Sequence, residues 1–202
     1  AVIAAPRDEI GGVGGFTGSV YVFRFNGSSW VEEAKLVASD SMTGWFLGWS
    51  VSVSGNVILV GSPFAESLGV GTGATYVFRY NGADWIEEAK LTASDGFSGD
   101  DFGVSVSVAG DTAVIGASED SEVAQRSGSA YVFRYNGVSW IEEAKLTASD
   151  GAAFDDFGRS VSISGSSDVV MVGAPDDDDA AFSSGSAYLF RYNGSNWVEE
   201  AK

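Results

Sequence analysis

The stretch Thr75–Gly96, TYVFRYNGADWIEEAKLTASDG, returns at Ala130–Gly151 as AYVFRYNGVSWIEEAKLTASDG, with changes at three of 22 positions: Thr75/Ala130, Ala83/Val138 and Asp84/Ser139. The same text appears as VYVFRFNGSSWVEEAKLVASD from Val20 and as AYLFRYNGSNWVEEAK from Ala187. Trp30, Trp85, Trp140 and Trp197 mark the period, at spacings of 55, 55 and 57 residues. A repeat of this length predicts one supersecondary unit per copy, stacked so that neighbours bury the face no copy can bury alone. The copies divide the chain at about residues 1–36 (partial), 37–91, 92–146 and 147–202. A residue present in every copy is there first for packing, so departures from the repeat are the better site candidates.

Within one copy the pattern is all strand. Phe102–Val108 alternates valine with serine, the period of a half-buried strand. Gly110-Asp111 is a turn, and Thr112–Ala117 is a near-continuous apolar run expected to be buried on both faces. Ala130–Tyr135 alternates again, Asn136-Gly137 is a hairpin turn tolerant of positive φ, and Trp140–Thr147 is a fourth strand. Four antiparallel strands per copy predict the blade of a β-propeller, an all-β architecture. First strands occur at Leu47–Ser54, Phe102–Ala109 and Phe157–Ser164 only, and the chain starts on a second strand, Ala1–Ala5. The expectation is therefore fifteen strands, about 3.7 blades: an incomplete ring or part of a larger propeller. Arg134 is expected to reach Glu142 or Glu143 across its hairpin, in an exposed ion pair.

Composition narrows the function classes. A net charge of −17 leaves no basic footprint for nucleic acid, and no run of 18 apolar residues provides a membrane span. Cysteine and histidine are absent, which removes disulfides, thiolate chemistry and the commonest general base. The opening AVIAAP has neither an initiating Met nor a basic leader, and the chain reads as cut from something longer.

These residues resemble FG-GAP repeat proteins, the group that includes the integrin α-subunit propeller. The FG element stands at Phe102-Gly103 and Phe157-Gly158, and as Leu47-Gly48 in the second copy. The GAP element stands at Gly173-Ala174-Pro175, and in altered form at Ala4-Ala5-Pro6, Gly61-Ser62-Pro63 and Gly116-Ala117-Ser118. The resemblance implies an extracellular or cell-surface propeller, usually seven-bladed. It also implies a calcium loop of the form DxDxDGxxD between first and second strands. Here that loop is reduced to Gly55-Asn56, Gly110-Asp111 and Gly165-Ser166-Ser167-Asp168, too few oxygens for calcium's coordination shell, so the family's metal site is not carried over.

Other acidic loops are the remaining metal candidates. Foremost is the run Asp176, Asp177, Asp178 and Asp179, which repels itself without a counter-ion; the loop carrying Asp155 and Asp156 is next. If a cofactor exists, it is Ca2+ at these places; the competing reading is solvated loops of an acidic protein. Trp45 and Trp49 occur in one copy only, where its sisters have Asp100/Val104 and Asp155/Arg159. With Phe46 and Met42 they form a partner or ligand surface, or else repack locally. Asn26-Gly27-Ser28 and Asn193-Gly194-Ser195 are glycosylation sequons that the Asn-Gly turn also explains.

No nucleophile-elbow motif is present, and the carboxylate pairs Asp100/Asp101 and Asp155/Asp156 recur in successive copies, unlike a catalytic site. The expected function is a non-catalytic extracellular scaffold or adhesion module. Its partners are protein, either further blades or other copies of the chain, or glycan. The rivals are a lectin-like glycan-binding propeller and a carboxylate-dependent hydrolase.

Overall fold

The structure is a computed structural model that describes residues 1–10, 15–66, 71–179, 181 and 184–202. Fifteen strands make up the described residues. The first blade holds β1 (Val2–Ala5), β2 (Ser19–Phe25) and β3 (Trp30–Leu36), in the order β1-β2-β3. The second holds β4 (Ser50–Ser54), β5 (Val57–Ser62), β6 (Ala74–Tyr80) and β7 (Trp85–Leu91). The third holds β8 (Ser105–Ala109), β9 (Thr112–Ala117), β10 (Ser129–Tyr135) and β11 (Trp140–Leu146). The fourth holds β12 (Ser160–Ile163), β13 (Val169–Ala174), β14 (Ser186–Tyr192) and β15 (Trp197–Ala201). Each is an antiparallel meander in chain order, and the first strand β8 packs between β4 and β12, the first strands of the blades on either side. The fold is an incomplete β-propeller.

The second strands of the two middle blades read as the sequence predicts, with every residue of β5 and β9 buried, whereas β1 and β13 in the end blades are only partly buried. The first strands start three residues later than expected, because the FG dipeptide lies outside them. Gly48, Gly103 and Gly158 hold φ of +92°, +95° and +91°, which ends strand geometry there and turns the chain into the blade. The preceding residue, Leu47, Phe102 or Phe157, bridges in parallel to Gly18, Gly73 or Gly128 of the blade before. Its side chain fills the space between sheets. Phe102 is fully buried against Tyr131 (5.4 Å between ring centroids) and Phe133 (6.1 Å), and Phe157 meets Tyr188 and Phe190 in the same way.

The GAP glycine is explained by the next sheet. A Cβ on Gly116 would lie 1.9 Å from the Gly158 carbonyl oxygen, and one on Gly61 would lie 2.0 Å from that of Gly103. Serines lock this approach: Ser50 Oγ donates to Gly103 O (2.8 Å) and Ser105 Oγ to Gly158 O (2.7 Å). The FG and GAP glycines of adjacent blades are therefore one contact, seen from its two sides.

The outer hairpins carry a bulge at an equivalent place in every blade. The register shifts between Val22/Phe23, Val77/Phe78, Val132/Phe133 and Leu189/Phe190, leaving Glu33, Glu88, Glu143 and Glu200 without an opposite residue. The bulge aims each of these glutamates at the arginine of its own hairpin, as in Arg79–Glu88 (2.6 Å) and Arg134–Glu143 (3.0 Å). It also lets the glutamate accept from the next blade's tryptophan: Trp85 Nε1 donates to Glu33, Trp140 Nε1 to Glu88 and Trp197 Nε1 to Glu143. The neighbouring Glu87, Glu142 and Glu199 each accept from both the amide and the hydroxyl of Ser39, Ser94 and Ser149 in the crossover before their blade. Of the two adjacent glutamates, one stitches its own hairpin and the other stitches blade to crossover.

Candidate functional site

The repeat's lysine sits at the edge of each blade and pairs with acids that precede it, not with the ASD segment that follows Lys35, Lys90 and Lys145 in sequence. Lys90, Lys145 and Lys202 each reach back 50 to 52 residues to Asp40, Asp95 and Asp150, whereas Lys35 pairs with Asp8 of its own blade. Lys145 Nζ meets Asp95 (2.6 Å), Asp120 (2.9 Å) and Glu122, and the Tyr131 hydroxyl donates to Asp95 and Asp120. Lys202 Nζ meets Asp150 (2.7 Å), Asp177 (2.8 Å) and Asp179 (2.6 Å), joined by Tyr188. These three carboxylates converge within 4.8 Å of one another. So Asp177 and Asp179 of the four-aspartate run do come together, with Asp150, while Asp176 and Asp178 are exposed outside the cluster. The cation at their centre is an ammonium. Burial opposes ionisation of Asp177, but Lys202 and Tyr188 outweigh it and hold its pKa at about 2. A calcium ion at this trio would have to displace the Lys202 ammonium. The other two metal candidates are spent elsewhere: Asp155 accepts from the Ala152 amide (2.6 Å), and Asp156 takes Arg126 Nη2 on both oxygens (3.0 and 3.2 Å).

Blade two departs from this scheme. Ala65 stands where its sisters have Asp8, Asp120 and Asp177, because the following glycine bonds back to each in the same way. The vacated space is taken by Trp45, which is 7% exposed and lies under Lys90 (4.9 Å from Nζ to the ring). Its carbonyl accepts from Ser62 Oγ (2.7 Å). Trp45 is thus core, not surface, and this corrects its expected place in a contact patch.

Phe46 and Trp49 do meet at the surface, joined by two residues that the repeat pattern did not single out, Phe16 and Phe64. Ring centroids lie 6.0 Å apart for Phe16–Phe46, 5.6 Å for Phe46–Phe64, 6.4 Å for Phe46–Trp49 and 5.3 Å for Trp49–Phe64. Phe16 and Trp49 are each 43% exposed and Phe64 36%. Trp49 enters the innermost strand β4, and Phe64 follows β5, so the cluster lies at one end of the inner strands, at the junction of blades one and two. Alignment of the copies carries the missed signal, since Phe64 faces Glu119 and Asp176 in the sister repeats. Phe46 has a φ of +51°, where the sisters place Asp101 (+59°) and Asp156 (+54°). Aspartate visits this region readily and phenylalanine does not.

At the next junction Asp101 makes no hydrogen bond or ion pair with a described side chain. Burial, then the Glu119 carboxylate, push it from 3.8 up to about 6. A carboxyl raised on folding stabilises the fold when protonated, so its contribution is present at acid pH and is lost as pH rises through about 6. Asp101→Asn should therefore raise the thermal midpoint at pH 7.5, by an amount on the order of 1 kcal/mol after solvent screening. It should change little at pH 4. Equal midpoint changes at both pH values in a melting series would refute this.

The sequons are turn residues in place. Asn26 Oδ1 accepts from the amides of Ser28 and Ser29, and Asn193 Oδ1 from those of Ser195 and Asn196. Both asparagines are exposed. A cleft of about 370 Å³ lies between Phe97, Asp100 and the Lys145 cluster.

The FG-GAP repeat model matches three times, at residues 30–78, 85–133 and 140–190. The chain belongs to the FG-GAP repeat family. In this FG-GAP chain each match starts at the tryptophan of one outer hairpin and ends in the third strand of the next blade, so it spans a junction. A solved structure described as "Structure of YjhT" is similar over 92% of this chain, at 12% identity and a TM-score of 0.46. The chain spans 53% of that solved chain. No curated protein matches.

Proposed function

We propose that this FG-GAP segment is a non-catalytic, extracellular binding module that docks a partner protein on the aromatic face of its first junction. Four rings gathered at one junction and at neither of its repeats carry this reading. Phe46 is half-buried and holds an unfavourable backbone conformation, a cost of roughly 1 kcal/mol or more with no matching gain in the core. An exposed aromatic cluster of this kind is the usual anchor of a protein interface. Trp49 and Phe64 meet at 90°, so they do not form the flat platform on which a sugar ring stacks. Larger assembly is part of the same reading: β1 has β2 as its one strand neighbour among the described residues, and Ile3 on it is 56% exposed. Such an edge is open to further blades or another copy.

The test compares the native chain with a Trp49→Ser/Phe64→Ser variant. Both are immobilised and exposed to secreted proteins of the source organism and to a glycan array. Saturable retention of a defined protein by the native chain, reduced about tenfold or more in the variant, is expected. Saturable sugar binding lost in the variant would overturn the reading in favour of a lectin. Substrate turnover abolished by Asp100→Asn would overturn it in favour of a hydrolase.

A further inference from the structure

The three blade junctions can be compared atom for atom, because the glycines Gly18, Gly73 and Gly128 all bridge to the following crossover in the same way. Two residues before the last two of these stand Gly71 and Arg126, with φ of +66° and +53°. At the third junction Arg126 reaches Asp156 (3.0 Å) and Glu119 (3.2 Å). The corresponding residues at the second junction are Gly71, Asp101 and Phe64. Asp101 keeps the left-handed backbone of Asp156, but the arginine that would neutralise it is absent. Nothing described lies within 4 Å of where a Cβ on Gly71 would sit. All eleven lysines and arginines lie among the described residues, and none ion-pairs Asp101. Arg159 and Arg126 act on Asp101 through space without pairing with it, and the Glu119 carboxylate acts on it more strongly than either.

The geometry points to a cation-binding site at the second junction, in which a partner protein's arginine enters beside Gly71, pairs with Asp101 and lies against Phe64. This deepens the docking reading above and rests on it for the partner's class. Three observations choose the occupant. The protein itself fills the equivalent position with a guanidinium. The surface is apolar on one side, through Phe64 and the ring cluster, and anionic on the other, which suits a planar cation on an aliphatic stem. A chain with a net charge of −17 favours a basic partner.

Acetyl-arginine amide is the probe, titrated into the native chain while amide NMR shifts are followed at Gly71, Asp101 and Phe102. Saturable shifts confined to this junction are expected, about tenfold weaker in Asp101→Asn. Gly71→Arg should abolish them, since it restores the internal guanidinium. That variant should also gain more in Tm with Asp101 present than in the Asp101→Asn background. No saturable shift in the native chain, or equal shifts in Asp101→Asn, would overturn the site. So would calcium saturating the same amides where the arginine probe does not. The two proposals fail separately: retention of partners by the Trp49→Ser/Phe64→Ser variant removes the aromatic face, whereas an unresponsive Asp101 amide removes the cation site.

Discussion

Gly116→Ala is expected to lose about 4 kcal/mol or more of stability, the largest effect of any single methyl group added to this chain. The new Cβ would meet the Gly158 carbonyl oxygen at 1.9 Å, its carbon at 2.9 Å and Ser105 Oγ at 2.4 Å. Two of those atoms are backbone, so no rotamer change relieves the clash. Two sheets must move apart by about 1 Å, and a close-packed interior does not yield that cheaply. The movement also breaks the Ser105–Gly158 hydrogen bond. For a chain of this size the thermal midpoint should fall by about 10 °C. Gly137→Ala is the control. It sits at a φ of +92° with nothing within 4 Å, so it isolates backbone strain from collision and should cost about 1 kcal/mol. Chemical denaturation of both variants decides the matter: equal losses would mean that the blades are not in rigid contact at their glycines.

Lys145→Met should be the most damaging change at a charged residue. It leaves Asp95, Asp120 and Glu122 facing one another, with Asp120 only 5% exposed. Removing one partner of a buried ion pair costs about 3–5 kcal/mol, and the partial exposure of Asp95 and Glu122 sets the expectation near the lower figure. Lys90→Met is the comparison. Lys90 faces one carboxylate, Asp40 at 2.7 Å, and otherwise the rings of Trp45 and Tyr76, so its loss should cost less than half as much. The difference between the two variants should shrink as pH falls and the orphaned carboxylates take up protons. Millimolar calcium should return part of the lost midpoint to Lys145→Met and none to the native chain. Midpoints for the two variants within a degree or so of each other would show that the ammonium is not the centre of this network.

Strand count, hairpin turns and the missing first strand of blade one were legible in the sequence, because period-two alternation and Asn-Gly pairs are local signals. The placement of the FG dipeptide was not. Phe102-Gly103 continues the alternation on paper, and only the positive φ of Gly103 removes it from the strand. Trp45 and Trp49 look alike in sequence. Which of them is core depends on Ala65, twenty residues on, whose small side chain opens the space that Trp45 fills. Phe16 and Phe64 lie in loops with no period, so only alignment against Arg126 and Glu119 marks them as departures. The lysines were hidden for a different reason: Lys90, Lys145 and Lys202 reach back to the aspartate of the previous ASD segment, and Lys35 to Asp8, so the ASD segment that follows Lys35, Lys90 and Lys145 in sequence is not the partner.

β7 and β11 are both WIEEAKL, and their hairpin turns differ at two positions. A folding chain therefore holds interchangeable parts. Either hairpin presents nearly the same strands to either inner pair, differing at two turn residues and at the first two residues of β6 and β10, so little in the outer sheet records which blade it belongs to. The information that fixes blade order lies in the junctions: tryptophan over alanine at the first, glycine beside an unpaired aspartate at the second, arginine across a carboxylate pair at the third. The residues that break the repeat are thus addresses as well as surfaces, and exchanging them between junctions would scramble assembly before it altered any binding.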